Sequence, residues 1–115
     1  MKEISIREKY SWFCDTIKLC GTFILDSSDD DIEYNIFEEF DGDSISVLHP
    51  KTLDALLAAQ YITEEIYTLS LRLAKSFRAL DNTDLWNVSA VRTSKEWFSV
   101  LSLADEIHGL LDIRK

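Results

Sequence analysis

The side chains of this 115-residue chain best suited to chemistry are Cys14, His49, His108 and a crowd of carboxylates. A nucleophilic thiol needs a base held beside it, and nothing in the sequence argues that Cys14 and His108 meet. Metal binding fails on ligand spacing: the two histidines are isolated, there is no Cys-x-x-Cys, and no Glu precedes a His by three. Asp105 does precede His108 by three, but one such pair on an apolar helix face reads as a satisfied structural histidine. A calcium loop opening at Asp29 would need Gly as its sixth residue, where Tyr34 stands. The three glycines, Gly21, Gly42 and Gly109, are too scattered for a phosphate loop. These residues imply no catalytic centre, no metal and no cofactor.

The carboxylates remain. Asp26, Asp29, Asp30, Asp31, Glu33, Glu38, Glu39, Asp41 and Asp43 are nine acids in a stretch without Lys or Arg. Removing nine from the 21 acidic residues leaves 12, which the 12 Lys and Arg cancel, so the formal charge of −9 is confined to this stretch. General acid–base work needs a desolvated carboxyl, whereas these repel one another in water. A one-sided negative field instead attracts a cationic partner and disfavours nucleic acid and anionic membranes. Tyr34 and Phe37 interleave with the acids, and Trp86 lies in an irregular stretch, as aromatic anchors would. Phe37 and Trp86 also suit plain core packing.

These residues must be positioned by helices. Ile6, Tyr10, Phe13, Ile17 and Cys20 form one helical stripe that ends before Gly21. Residues 21–25 are short and apolar, fitting either a buried extended connector or a strand. Ser28 with Asp31 resembles a capping box, after which Ile32, Ile36 and Phe40 mark a second helix with Asp31, Tyr34, Glu38 and Asp41 facing water. Asp41-Gly42-Asp43 reads as a turn, and residues 44–48 alternate as an extended segment, leaving a minor hairpin with 21–25 open. On this reading Glu38, Glu39, Asp41 and Asp43 crowd a helix carboxyl end, each costing ~0.3–1 kcal/mol against its negative pole. A rule broken four times is the mark of a binding surface.

Pro50 opens a third helix to Gln60, and Thr63 caps a fourth carrying Ile66, Leu69, Leu73, Phe77 and Leu80 until Asp81-Asn82-Thr83. Residues 85–92 read as irregular, and Thr93 with Glu96 caps a last helix carrying Trp97, Val100, Leu101, Ala104, Ile107 and Leu111. The expected fold is all-α: one single-domain bundle of about five helices over residues 1–115. Cys14 and Cys20 lie on different sides of one helix, so they are expected as free thiols in a reducing cytosol. No secretory signal or membrane span is apparent, which makes a cytoplasmic protein the expectation.

The run from Glu33 to Asp41 (Glu-Tyr-Asn-Ile-Phe-Glu-Glu-Phe-Asp), followed by Ser46-Val47-Leu48-His49-Pro50 and Leu53, and later Trp97 with Leu103-Ala104-Asp105-Glu106-Ile107, resembles bacterial immunity proteins of contact-dependent growth inhibition systems. The likeness spans roughly residues 10 to 111 and is nearest to partners of EndoU-type ribonuclease toxins. It implies a one-to-one complex with the carboxyl-terminal nuclease domain of a cognate toxin, and no enzymatic activity. No family binding residue transfers by position; Asp29, Asp30, Asp31, Glu33, Tyr34, Glu38, Glu39, Asp41, Asp43 and Trp86 are candidates on the charge argument alone. An acidic adaptor or nucleic-acid mimic acting on a host DNA-binding protein is the alternative reading.

Overall fold

The structure, a computed structural model, describes residues 5–113, the side chain of Ile113 excepted. It is all-α, with no strand among the described residues. Helix α1 (Ile6–Ile17) starts at Ser5, whose hydroxyl accepts from the Glu8 N–H. A 3₁₀ turn (Thr22–Asp26) leads to α2 (Asp29–Ile32), a π-wound segment (Glu33–Phe40) and α3 (Asp41–Val47). Then come α4 (Pro50–Ala58), α5 (Glu64–Arg78), the short α6 (Val88–Thr93) and α7 (Lys95–Ile113). Phe13, Ile17, Ile36, Phe40, Leu73, Phe77, Trp97, Leu101 and Ile107 are fully buried in one continuous core.

The caps follow local chemistry. The Ser28, Thr63 and Asn87 side chains each accept a backbone N–H from three residues on, and His49 accepts from Lys51 with Pro50 at the first helical position. The Asn-Val-Ser triplet at 87–89 is thus a helix start: Asn87 also donates its amide to the Asp84 carbonyl. Helix α4 ends with Gln60 N–H on the Leu57 carbonyl (3.0 Å) and Tyr61 N–H on the Leu56 carbonyl (2.9 Å), the double closure that favours glycine at the left-handed residue. Gln60 occupies that residue at φ 66°. Gln60→Gly is expected to raise stability by ~1 kcal/mol, read as a higher midpoint in urea unfolding.

Five expectations are corrected. Residues 21–25 do not form the strand or extended connector expected: Gly21 alone is extended, and from Thr22 the chain winds into a 3₁₀ turn whose start Asp105 of α7 holds by accepting from both the N–H (3.1 Å) and the hydroxyl (2.5 Å) of Thr22. Asp41-Gly42-Asp43 is no turn, and residues 44–48 are not extended: α2, the π segment and α3 run on as one rod from Asp29 to Val47. Residues 88–93 are helical rather than irregular, and α7 is capped by Ser94, whose hydroxyl accepts from Trp97 N–H, while Thr93 belongs to α6.

The π winding has a readable cause. Ile32, Ile36, Phe40, Ser44 and Leu48 recur every four residues, and all five are buried. In an α-helix each four-residue step overshoots a full turn by ~40°, so four steps would carry Leu48 toward the opposite side from Ile32. Widening the turn to i→i+5 hydrogen bonds over Glu33–Phe40 absorbs that drift and keeps the row against the core.

Candidate functional site

The outward face of the rod mirrors the buried row. Asp30, Tyr34, Glu38, Gly42 and Ser46, again four apart, are all exposed, and Asp31, Glu33 and Ile45 are exposed beside them. Tyr34 is 53% and Ile45 62% exposed, the two large apolar side chains the rod offers to solvent. The π winding also aligns residues five apart: Glu39 accepts a hydrogen bond from the Tyr34 hydroxyl and, with Glu38 adding its charge, holds that phenol above its ordinary pKa. In α geometry only residues three or four apart would share that face.

Two of the nine acids are used inside the fold. Arg78 of α5 donates to the Asp41 carboxylate at 2.7 Å, reaches Asp81, the Asp41 carbonyl and the Ser44 hydroxyl at 3.3–3.4 Å, and lies 5.3 Å over the Phe77 ring. Arg92 of α6 donates to Asp29 at 2.8 Å and to the Leu25 and Ser27 carbonyls, fixing the path from the 3₁₀ turn into α2. Asp41 therefore does not face water freely. Nine less Asp29 and Asp41 leaves seven acids without an ion pair among the described residues. Nor do these acids crowd a helix end, as expected of a turn at 41–43: Glu38, Glu39, Asp41 and Asp43 sit within a continuous rod, before its carboxyl-terminal pole at Leu48.

Beneath the stripe lies an aromatic cluster. Phe37 meets Trp86 edge-on at 5.0 Å and Trp97 at 5.6 Å, Phe77 meets Phe40, Trp86 and Trp97, and Trp97 donates its ring N–H to the Leu85 carbonyl at 2.6 Å. Phe37 is half-buried core packing. Trp86 is half-buried in the same cluster, in contact with the ring of Phe37, which lies on the same rod as the acids.

No family model, curated protein or solved structure matches this chain. The site is read from its own geometry.

The structure does bring Cys14 and His108 together, along a small cavity of about 70 Å³ with Tyr10, Lys18, Leu111 and Asp112. No spacing or motif in the sequence links residues so far apart. His108 Nε2 lies 2.9 Å from the Ile17 carbonyl, which takes up that nitrogen as a donor and gives the ring a structural task between α7 and α1. Neither Cys14 nor Cys20 is in a disulfide, and burial, with Asp105 nearby, pushes the Cys20 thiol far above its ordinary range. No three His, Cys, Asp or Glu side chains among the described residues converge to hold a metal. No helix among them is long and apolar enough to cross a membrane.

Proposed function

We propose that this chain is an immunity protein that neutralises the nuclease domain of a contact-dependent growth inhibition toxin by laying its acidic helical face into the toxin's basic cleft. The observation that carries this reading is the rod itself: six acids without ion pairs among the described residues (Asp30, Asp31, Glu33, Glu38, Glu39 and Asp43), on or beside an exposed stripe that also displays Tyr34, with Asp26 in the turn just before it. A nuclease must bind a polyanion, so its cleft is cationic, and carboxylates can occupy the phosphate positions. The resemblance of residues 33–41, 46–50 and 53, with Trp97 and residues 103–107, to immunity proteins supports the toxin class; the charge supports the mechanism. Rim acids such as Asp30 and Asp31 speed encounter, while Tyr34 and Glu38, with Gly42 offering bare backbone between acids, set the lifetime of a one-to-one complex.

Asp41 is excluded from the test because Arg78 needs it. Glu38→Lys, Asp43→Lys is expected to keep the wild-type unfolding curve yet bind the isolated toxin domain at least ~100-fold more weakly, with a shallower salt dependence. Unchanged affinity and salt slope in the folded variant would place the interface elsewhere.

A further inference from the structure

Four large apolar side chains are exposed among the described residues: Phe23, Tyr34, Ile45 and Phe98. Tyr34 and Ile45 are those of the rod, while Phe23 lies in the 3₁₀ turn and Phe98 on α7. Neither phenylalanine belongs to the core or to the half-buried apolar side chains packed against it, so folding gains little from either ring. A single exposed ring needs no explanation, but neighbouring ones rimmed by polar residues mark a contact surface. The clasp on Thr22 makes these two neighbours. The Asp105 carboxylate and an edge carbon of the Phe23 ring lie 2.7 and 3.1 Å from the point that a Gly21 Cβ would occupy, which sets the ring beside Asp105. Phe98 precedes Asp105 by seven residues on α7, about two turns and ~10 Å away and within ~20° of the same helix face. From Asp105 the 3₁₀ turn heads back toward the start of α7, where Arg92 binds the Leu25 and Ser27 carbonyls. Phe23 and Phe98 therefore border one strip, rimmed at its α7 end by the exposed Lys95, Glu96 and Ser99.

Arg92 also holds Asp29 at 2.8 Å, and the exposed Asp26 and Asp30 lie before and after that contact in the chain, so the strip adjoins the amino-terminal end of the acidic stripe. We infer, resting on the acidic face as the contact surface proposed above, that the two rings are the apolar half of the same interface: the partner is a basic protein domain whose cleft is bordered by an apolar hollow that takes Phe23 and Phe98. Charge selects this occupant. A cationic domain meets acids and rings together, whereas a second copy of this chain would carry its own Asp26 and Asp30 to the same edge and be repelled. Aromatic anchors beside a charged rim are the usual division of labour in such contacts. Acids act across water and are screened by salt, while rings act only on contact, so the two halves leave different kinetic marks.

The test follows association and dissociation of the full chain with the isolated toxin domain by surface plasmon resonance at low and high salt. Phe23→Ser and Phe98→Gln are each expected to keep the wild-type unfolding curve and to speed dissociation at least ~tenfold at both salt concentrations, with association changed less than about twofold. Glu38→Lys, Asp43→Lys acts the other way, slowing association and flattening its salt dependence. Phe98→Gln, on an open helix face, decides the matter if Phe23→Ser disturbs the 3₁₀ turn. Dissociation unchanged in the folded ring variants, with binding lost on charge reversal, would overturn the inference and leave the acidic face standing. Fast dissociation of the ring variants beside a silent charge reversal would support the strip and sink the acidic face, and no binding by the wild type would sink both. Sedimentation of the chain alone gives the last arm: a dimer dissolved by Phe98→Gln would make the strip a self-contact and overturn the inference.

Discussion

Trp97→Ala is expected to remove ~3–5 kcal/mol of stability, the largest loss at any position on α7. Trp97 is fully buried at the meeting point of the π segment, α5 and the 79–87 connection, touching the rings of Phe37, Phe77 and Trp86 at 5.6, 5.7 and 5.9 Å. Truncation would empty the centre of that cluster and strip the Leu85 carbonyl of its donor. Against the 5–15 kcal/mol typical of a domain (about 0.05–0.15 kcal/mol per residue), the variant would be marginal at 25 °C. Urea unfolding followed by far-ultraviolet circular dichroism checks this: the midpoint should fall sharply with a nearly unchanged slope. Trp86→Ala, in the same cluster but half-exposed, should cost markedly less. A loss at Trp97 no greater than at Trp86 would mean that the cluster is not the keystone its geometry describes.

The second large effect is at Gly21. A Cβ there would lie 2.7 Å from the Asp105 carboxylate, which is pinned by the two Thr22 hydrogen bonds. The backbone at Gly21 is extended, φ 163°, so the obstacle is steric rather than conformational. To admit the methyl, Asp105 must swing away from Thr22, leaving a half-buried carboxylate and an N–H without their partners. Gly21→Ala should therefore cost ~1.5–3 kcal/mol. Gly42→Ala provides the contrast: an added Cβ there meets nothing within 4 Å and the residue is helical, so stability should rise by ~0.5–1 kcal/mol. Opposite signs at two glycines, measured in the same urea series, would distinguish the packing argument from any general effect of glycine replacement.

What could be read from the chain depended on range. Helix stripes and caps are set by neighbours three or four residues away, so the rows in α5 and α7, and the caps at Ser28 and Thr63, were legible. The rod is hidden from a local reading because Asp-Gly-Asp is turn chemistry in isolation, and only the buried row on either side overrides it. That row carries a partial signal of its own: apolar residues four apart at 32, 36 and 40, with Leu48 eight further on, drift out of line in α winding, but the polar Ser44 interrupts the pattern. Helix α6 leaves little trace in the sequence because six residues show almost no periodicity, although Asn87 is a good cap. The ion pairs Arg78–Asp41 and Arg92–Asp29 join residues 37 and 63 apart, and no local pattern marks them. They matter to the site, since they separate two structural acids from the seven left for a partner.

The clasp of Thr22 by Asp105, and of the Ile17 carbonyl by His108, also sets the order in which a ribosome can complete this molecule. These contacts join residues 83 and 91 apart. Chain emerging at ~5–20 residues per second presents α1 and the rod seconds before α7 exists. During that interval Phe13, Ile17, Phe37 and Phe77 lack the helix that seals them, and the nascent chain can gather only as a loose helical collapse. Folding must therefore wait for the last helix, and the half-made protein spends its youth with its core open and its acidic stretch already displayed.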